Sequence, residues 1–205
     1  MPTNEYHFIT RWRVEGTPEE VFSIIDHAED LVSWWPAVYL DVKVLEPGDT
    51  QGVGKVVSLL TKGWLPYTLR WKFRTTEKRF PNHLALEAWG DFRGRGMWTF
   101  TADGPWVDIT YDWKVRADKR LVRFLSFLLK PIFSANHRWA MAKGEESLRL
   151  ELARRRAQTP EERAAVPAPP PPTTTSPLPL LLALTGCVAV LGGLAYLVFR
   201  LAAPR

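Results

Sequence analysis

The chain has 205 residues, 24% charged and 46% hydrophobic, enough for one ordinary domain with its own core plus appendages. A single cysteine, Cys187, excludes an internal disulfide and a cysteine-rich zinc site; four histidines without an H-x-x-x-H or H-E-x-x-H pair argue against a metal centre, so no metal or cofactor is expected. The formal charge of +5 comes with no recognition motif, which argues against nucleic acid as a partner, whereas ten tryptophans require a large apolar interior or a pocket with aromatic walls.

In chain order, the start MPTNEYHF has neither a basic cluster nor an apolar run, so no secretory signal is expected. Residues 6–14 alternate as a strand, with Tyr6, Phe8, Trp12 and Val14 on one side and His7, Arg11 and Arg13 on the other. Thr17-Pro18-Glu19-Glu20 opens a helix: Thr17 caps it, Pro18 fits the first turn and Glu20 completes a capping box. Val21, Phe22, Ile25 and Ala28 form its buried face. A short second helix over 30–36 ends at Trp34-Trp35-Pro36, where the tryptophans either cap a core or line an opening. Five or six further strands follow, over 39–45, 55–61, 67–77, 83–89, 95–102 and 107–115. In the third of these Tyr67, Leu69, Trp71 and Phe73 face away from Thr68, Arg70, Lys72 and Arg74. One apolar and one polar face per strand indicates an antiparallel sheet wetted on one side. Gly90, Gly94 and Gly96 are read as bulge or close-contact glycines, since no helix and no Gly-Lys-Ser/Thr follows to make a phosphate loop.

Between residues 114 and 130, cations alternate with Leu121, Val122, Phe124 and Phe127. This stretch is a basic amphipathic helix on an anionic membrane surface, the first part of a long helix kinked at Pro131, or both at once. Residues 131–156 form that long helix, with His137, Met141, Gly144, Leu148 and Leu152 as one stripe extended by Phe133. His137 interrupts the stripe and Gly144 leaves a gap, as in a helix that seals a cavity or a core helix with one satisfied histidine. A folded domain over 1–157 is followed by a proline-rich, largely polyproline II linker over 158–179. Residues 180–201 are a predicted transmembrane helix, uncharged from 180 to 199, with a short tail over 202–205. Thr185, Ala189 and Gly193 lie four apart, a row that can pair two such helices into a homodimer. The expectation is a single-pass membrane protein with its domain on the cytoplasmic side.

Several features over residues 5–152 resemble the START-like superfamily, also called SRPBCC. They are the opening strand with Thr17-Pro18-Glu19-Glu20-Val21-Phe22, the Trp34-Trp35-Pro36 corner, and Gly52-Val53-Gly54 entering a strand. The stretch from Gly90 to Trp98, Val107-Asp108-Ile109-Thr110-Tyr111-Asp112-Trp113 and the closing long helix complete the set. Within the superfamily the resemblance is to the polyketide cyclase/dehydrase and lipid transport group. It implies an α+β helix-grip fold: a curved antiparallel sheet of six or seven strands wrapped around a long C-terminal helix and enclosing an apolar cavity. It also implies binding of lipids, isoprenoids, polyketides or similar molecules, by carriers or by enzymes.

On this reading Trp71, Phe73, Trp98, Tyr111 and Trp113 supply cavity wall, Met141 and Gly144 the helix side, and Asn136 or His137 a polar contact. The function expected first is membrane-tethered binding or transport of a hydrophobic small molecule. An enzyme of the cyclase/dehydrase kind is the alternative, with His137 removing a proton alpha to a carbonyl. Glu87, Asp91, Arg93, Tyr67 and Tyr111 are its further polar candidates. A third reading is a non-binding scaffold dimerised through its anchor.

Overall fold

Alternation of apolar and polar side chains produces seven strands: β1 (Glu5–Glu15), β2 (Tyr39–Glu46), β3 (Val56–Lys62), β4 (Thr68–Arg79), β5 (His83–Gly90), β6 (Arg93–Asp103) and β7 (Trp106–Arg116). The computed structural model describes residues 5–116 and 120–174, and for 120–129 the backbone alone. The predicted span over 180–201 and the tail over 202–205 lie outside the described residues. Among these, no helix is long and apolar enough to cross a membrane.

The strands form one antiparallel sheet in the order β1-β7-β6-β5-β4-β3-β2, so β2 to β7 are a meander and β1 returns to pair with β7. Inward positions such as Trp71, Phe73, Ile109 and Trp113 are buried, while Arg70, Lys72 and Arg74 face water. Register shifts in β2, at Tyr39/Asp41 and Val44/Glu46, and in β4, at Thr75/Glu77, are bulges of the kind that bend a sheet.

Between β1 and β2 lie α1 (Pro18–Asp26), a 3-10 turn (Ala28–Asp30) and α2 (Leu31–Trp34). The capping box forms as expected: Glu20 N–H donates to Thr17 Oγ1 at 3.3 Å, and Thr17 N–H to Glu20 Oε2 at 2.9 Å. Such a cap is worth about 1 kcal/mol. Ile24 is fully buried and Ile25 only half-buried, so the inward face of α1 is rotated from the predicted one.

The sheet grips α3 (Arg120–Arg156), a helix of 37 residues with Pro131 inside it. Of the two readings for the basic segment, the backbone from Arg120 onward continues into the long helix, and Lys114 and Arg116 belong to β7. The predicted stripe faces inward, with Met141, Leu148 and Leu152 buried. Its C-terminal half is tied down at the edges: Arg149 Nη2 donates to the Arg13 carbonyl at 2.9 Å, and Arg156 donates to both Glu20 oxygens at 2.8 and 2.7 Å.

Two features of the linker depart from a plain extended spacer. Thr159-Pro160-Glu161-Glu162 repeats the tetrapeptide at 17–20, forms the same capping box and starts α4 (Pro160–Ala165). The chain then folds back along the domain. Arg154 Nη2 donates to the Pro167 carbonyl at 3.0 Å, Thr173 Oγ1 to the Gly63 carbonyl at 2.9 Å, and Lys62 Nζ to the Thr173 carbonyl at 2.8 Å.

Candidate functional site: a cavity beneath the long helix

Where α3 residues 133–141 cross the open end of the sheet, packing leaves a cavity of about 450 Å³. Its walls come from Tyr6 and Phe8 of β1, Trp35 and Tyr39, the end of β3, the start of β4, Phe92, and Tyr111, Trp113 and Val115 of β7. Phe133, Asn136, His137, Ala140 and Met141 form the roof.

The floor is a continuous aromatic wall. Tyr111 stacks on Trp113 at 5.6 Å between ring centroids, and Trp98, behind the floor, stacks on Tyr111 at 4.0 Å. Phe92 meets Trp113 edge-on at 5.8 Å and lies 5.2 Å from Trp71. Gly96 allows this pile to sit flat on β6, since a Cβ there would lie 2.6 Å from Tyr111 Oη and 2.9 Å from the Trp113 ring. Trp71 Nε1 donates to Thr61 Oγ1 at 3.0 Å, which satisfies the indole so that its ring can present apolar surface.

Three polar atoms on residues of the wall are buried without a hydrogen-bond partner among the described residues: Tyr6 Oη, Trp35 Nε1 and His137 Nε2. Burial, aided by the neighbouring Arg138 charge, pushes the His137 pKa down to about 4, so the ring is neutral near pH 7. It stacks on Phe8 with centroids 4.1 Å apart. Burial raises the Tyr111 phenol well above its ordinary value, and that of Tyr67 to about 12, so both remain protonated. Asn136 has a different role from a free polar contact: its Oδ1 accepts from Leu65 N–H at 3.2 Å and holds the β3–β4 loop.

Of the residues singled out from the sequence, Trp71, Tyr111, Trp113, Asn136, His137 and Met141 line this cavity. Phe73 and Trp98 line instead a separate space of about 80 Å³ beneath α1 and α2. Gly144 borders neither, and the gap expected beside it does not exist. A Cβ at that position would collide with the Trp35 indole, which fills the space. Trp34 and Trp35 divide the two roles left open for them. Trp34 is 1% exposed and packs in the core, and Trp35 packs there too while showing one edge to the cavity.

Glu87 and Arg93 point to the outer surface. Tyr67 stands at the cavity rim, edge-on to Phe133. Asp91 is also at the rim, where its Oδ2 accepts from Arg70 N–H at 3.0 Å. Tyr6, Phe8 and Phe92 were not picked out as site residues. The alternation at the start of β1 carried the signal for the first two, because the start of β1 pairs with the end of β7 at the cavity. Among the described residues no group of three or more His, Cys, Asp or Glu side chains is placed to hold a metal. The arrangement is thus an apolar, aromatic host with two hydrogen-bond donors and a neutral imidazole.

A family model described as polyketide cyclase / dehydrase and lipid transport matches residues 14–142. No curated protein matches the chain significantly. Among solved structures, an aromatase/cyclase, Zhui, from Streptomyces sp. R1128 superposes with a TM-score of 0.61 at 16% identity, over 75% of this chain and 97% of that one. TTHA0849 from Thermus thermophilus gives 0.58 at 16% identity, covering 70% and 97%. Norcoclaurine synthase from Thalictrum flavum, in complex with dopamine and hydroxybenzaldehyde, gives 0.51 at 13% identity, covering 77% and 91%. At these identities the likeness is one of fold.

Proposed function

The chain belongs to the polyketide cyclase/dehydrase and lipid transport family, and on that premise we propose that it binds a hydrophobic small molecule bearing an oxygen acceptor, held near a membrane by the apolar run at 180–199. The observation that carries this reading is the pairing of an aromatic cavity of about 450 Å³ with unpartnered polar atoms buried on residues that line it. That volume suits a small-molecule site. Burial of apolar ligand surface contributes roughly 25 cal/mol per Å². Leaving a buried donor unsatisfied costs about 1–3 kcal/mol, so a ligand whose carbonyl or hydroxyl oxygen meets Trp35 Nε1 or Tyr6 Oη is favoured over a plain hydrocarbon. The uncharged run is long enough to cross a bilayer, and the reading puts the domain on its cytoplasmic side. A scaffold with a solid core fits poorly with a cavity of this size.

The cyclase reading rests on His137, a residue of the cavity wall whose neutral ring carries an unpartnered, buried Nε2. With a pKa of about 4 it is a weak proton acceptor near pH 7, which favours binding over turnover. The test is native mass spectrometry of the full chain purified in lipid nanodiscs. An apolar, oxygen-containing ligand at one per chain is the expected result; a chain that retains only bulk lipid in every preparation would overturn the reading.

A further inference from the structure

The cavity opens at one end of the sheet, and most of the positive charge on the sheet's outer face gathers at the same end. This is where β1 begins, β7 ends and β6 begins. On the outer face Glu87 stands opposite Arg95, Arg95 opposite Lys114, and Lys114 opposite His7. In the adjacent row Arg93 stands opposite Arg116, and Arg116 opposite Glu5. Lys130 of α3 closes the group, its Nζ 5.6 Å above the Tyr6 ring. Asp112, further along β7, lies 3.0 Å from His7 Nε2 and 3.6 Å from Lys114 Nζ. Even with Asp112 and the rim carboxylate Asp91 counted beside Glu5 and Glu87, the five cations outnumber the four carboxylates at this end. Tyr6 and Val115 line both this outer groove and the cavity, so the two share one rim.

The opposite end of the sheet is electrically different. There Arg13 pairs with Asp103 and Asp108 at 2.5 and 2.6 Å, Lys78 with Asp26 at 2.6 Å, and Arg79 with Glu77 at 2.6 Å. The charge asymmetry is along the axis that leads out of the cavity.

The returning linker reaches the same end. Thr173 is bonded to Lys62 and Gly63, both of which line the cavity. Six residues separate Thr173 from the uncharged run that starts at Leu180, a reach of about 20 Å in extended polyproline form. The tether that leads to the run is thus held at the rim through Thr173.

We propose that this end of the domain docks on an anionic lipid bilayer, with the cationic rows on the head groups and the cavity mouth turned to the acyl region. The inference rests on the anchoring role proposed above for the apolar run, and adds to it an orientation and a lipid charge. Charge complementarity sets the face, and the short tether keeps it there. A ligand held in the bilayer would then pass into the cavity without crossing water.

The test uses the full chain carrying Cys187→Ser, with a nitroxide on Thr68→Cys at the rim or on Gln51→Cys at the far end, both exposed positions. It is reconstituted into vesicles of phosphatidylcholine, alone or with about 30% phosphatidylserine, a content that gives a marked negative surface potential. The rim label should lose about tenfold in collision rate with an aqueous nickel chelate only in the anionic vesicles, and regain it at high salt, while the far label stays accessible throughout. Arg95→Glu with Lys114→Glu, two outward-facing changes, should abolish the protection. A rim label equally accessible in both lipids, or labels that respond alike, overturns the docking while co-flotation with neutral vesicles leaves the anchor standing. A chain that floats with neither vesicle overturns both. Ligand retention in nanodiscs is read separately, so failure of the cavity reading is distinguishable from either.

Discussion

Gly144 and Trp35 occupy one site: the indole lies against the α3 backbone where a side chain at 144 would start. Trp35 is 4% exposed and held by Trp12 at 5.6 Å, Trp34 at 5.4 Å and Tyr39 at 5.2 Å, so it can yield only toward the cavity edge it lines. Gly144→Ala should therefore destabilise the domain. The gain from replacing glycine within a helix is about 1 kcal/mol, against an overpacking cost of about 1–3 kcal/mol. A lower urea midpoint with an unchanged slope is expected. A higher midpoint would mean that the indole moves freely.

Tyr6→Phe separates stability from binding. Removing a buried hydroxyl that has no partner should raise the stability of the unliganded domain by about 1 kcal/mol, because the unsatisfied group is gone. The same change should weaken the bound ligand by about tenfold, the value of one lost hydrogen bond. Thermal unfolding and ligand titration, measured on the same samples, should move in opposite senses.

His137 makes stability depend on pH. Its pKa is about 4 in the folded chain, whereas an unfolded histidine titrates near 6.5, so the unfolded state takes up the proton first as the pH falls. The stabilisation is fully present above about 6.5 and declines toward pH 4, by roughly 3 kcal/mol over that window. In His137→Phe, which keeps a ring against Phe8, this part of the slope should vanish. Urea midpoints measured between pH 4 and pH 7 test it, and parallel curves for the two proteins would place the acid sensitivity elsewhere.

Thr173→Val removes the hydroxyl that donates to the Gly63 carbonyl. Domain stability should change by less than about 0.5 kcal/mol, since the contact is peripheral. Limited proteolysis after residue 166 should accelerate several-fold as the strap loosens, and an unchanged cleavage rate would show that the Lys62 and Arg154 bonds retain it.

Much of the fold was legible because period-two alternation and period-3.6 stripes report burial directly. The inward sides of β4 and β7, the capping box at Thr17 and the Met141, Leu148 and Leu152 stripe all follow from such patterns. Alternation states which face a residue takes but not how far along the sheet it lies. Phe73 and Trp98 are therefore inward yet sit beneath α1 and α2, one layer behind the walls of the main cavity. The role of Gly144 was hidden for a related reason: what fills a gap on one helix is a side chain more than 100 positions away. The linker misled through composition. Its proline content signals an extended chain, while four residues identical to the start of α1 begin a helix within it.

The grip on α3 is uneven along its length. Leu148 and Leu152 are buried, and Arg149 and Arg156 pin that half to β1 and α1, whereas Phe133 and His137, over the cavity, are only half covered. Beyond residue 144 the helix is clamped by ion pairs and core packing, whereas over the aromatic floor it is held by the Asn136–Leu65 bond and the His137–Phe8 stack. A guest entering the cavity thus displaces only these lighter contacts, and the Arg149 and Arg156 ties that secure the other half of the helix stay in place.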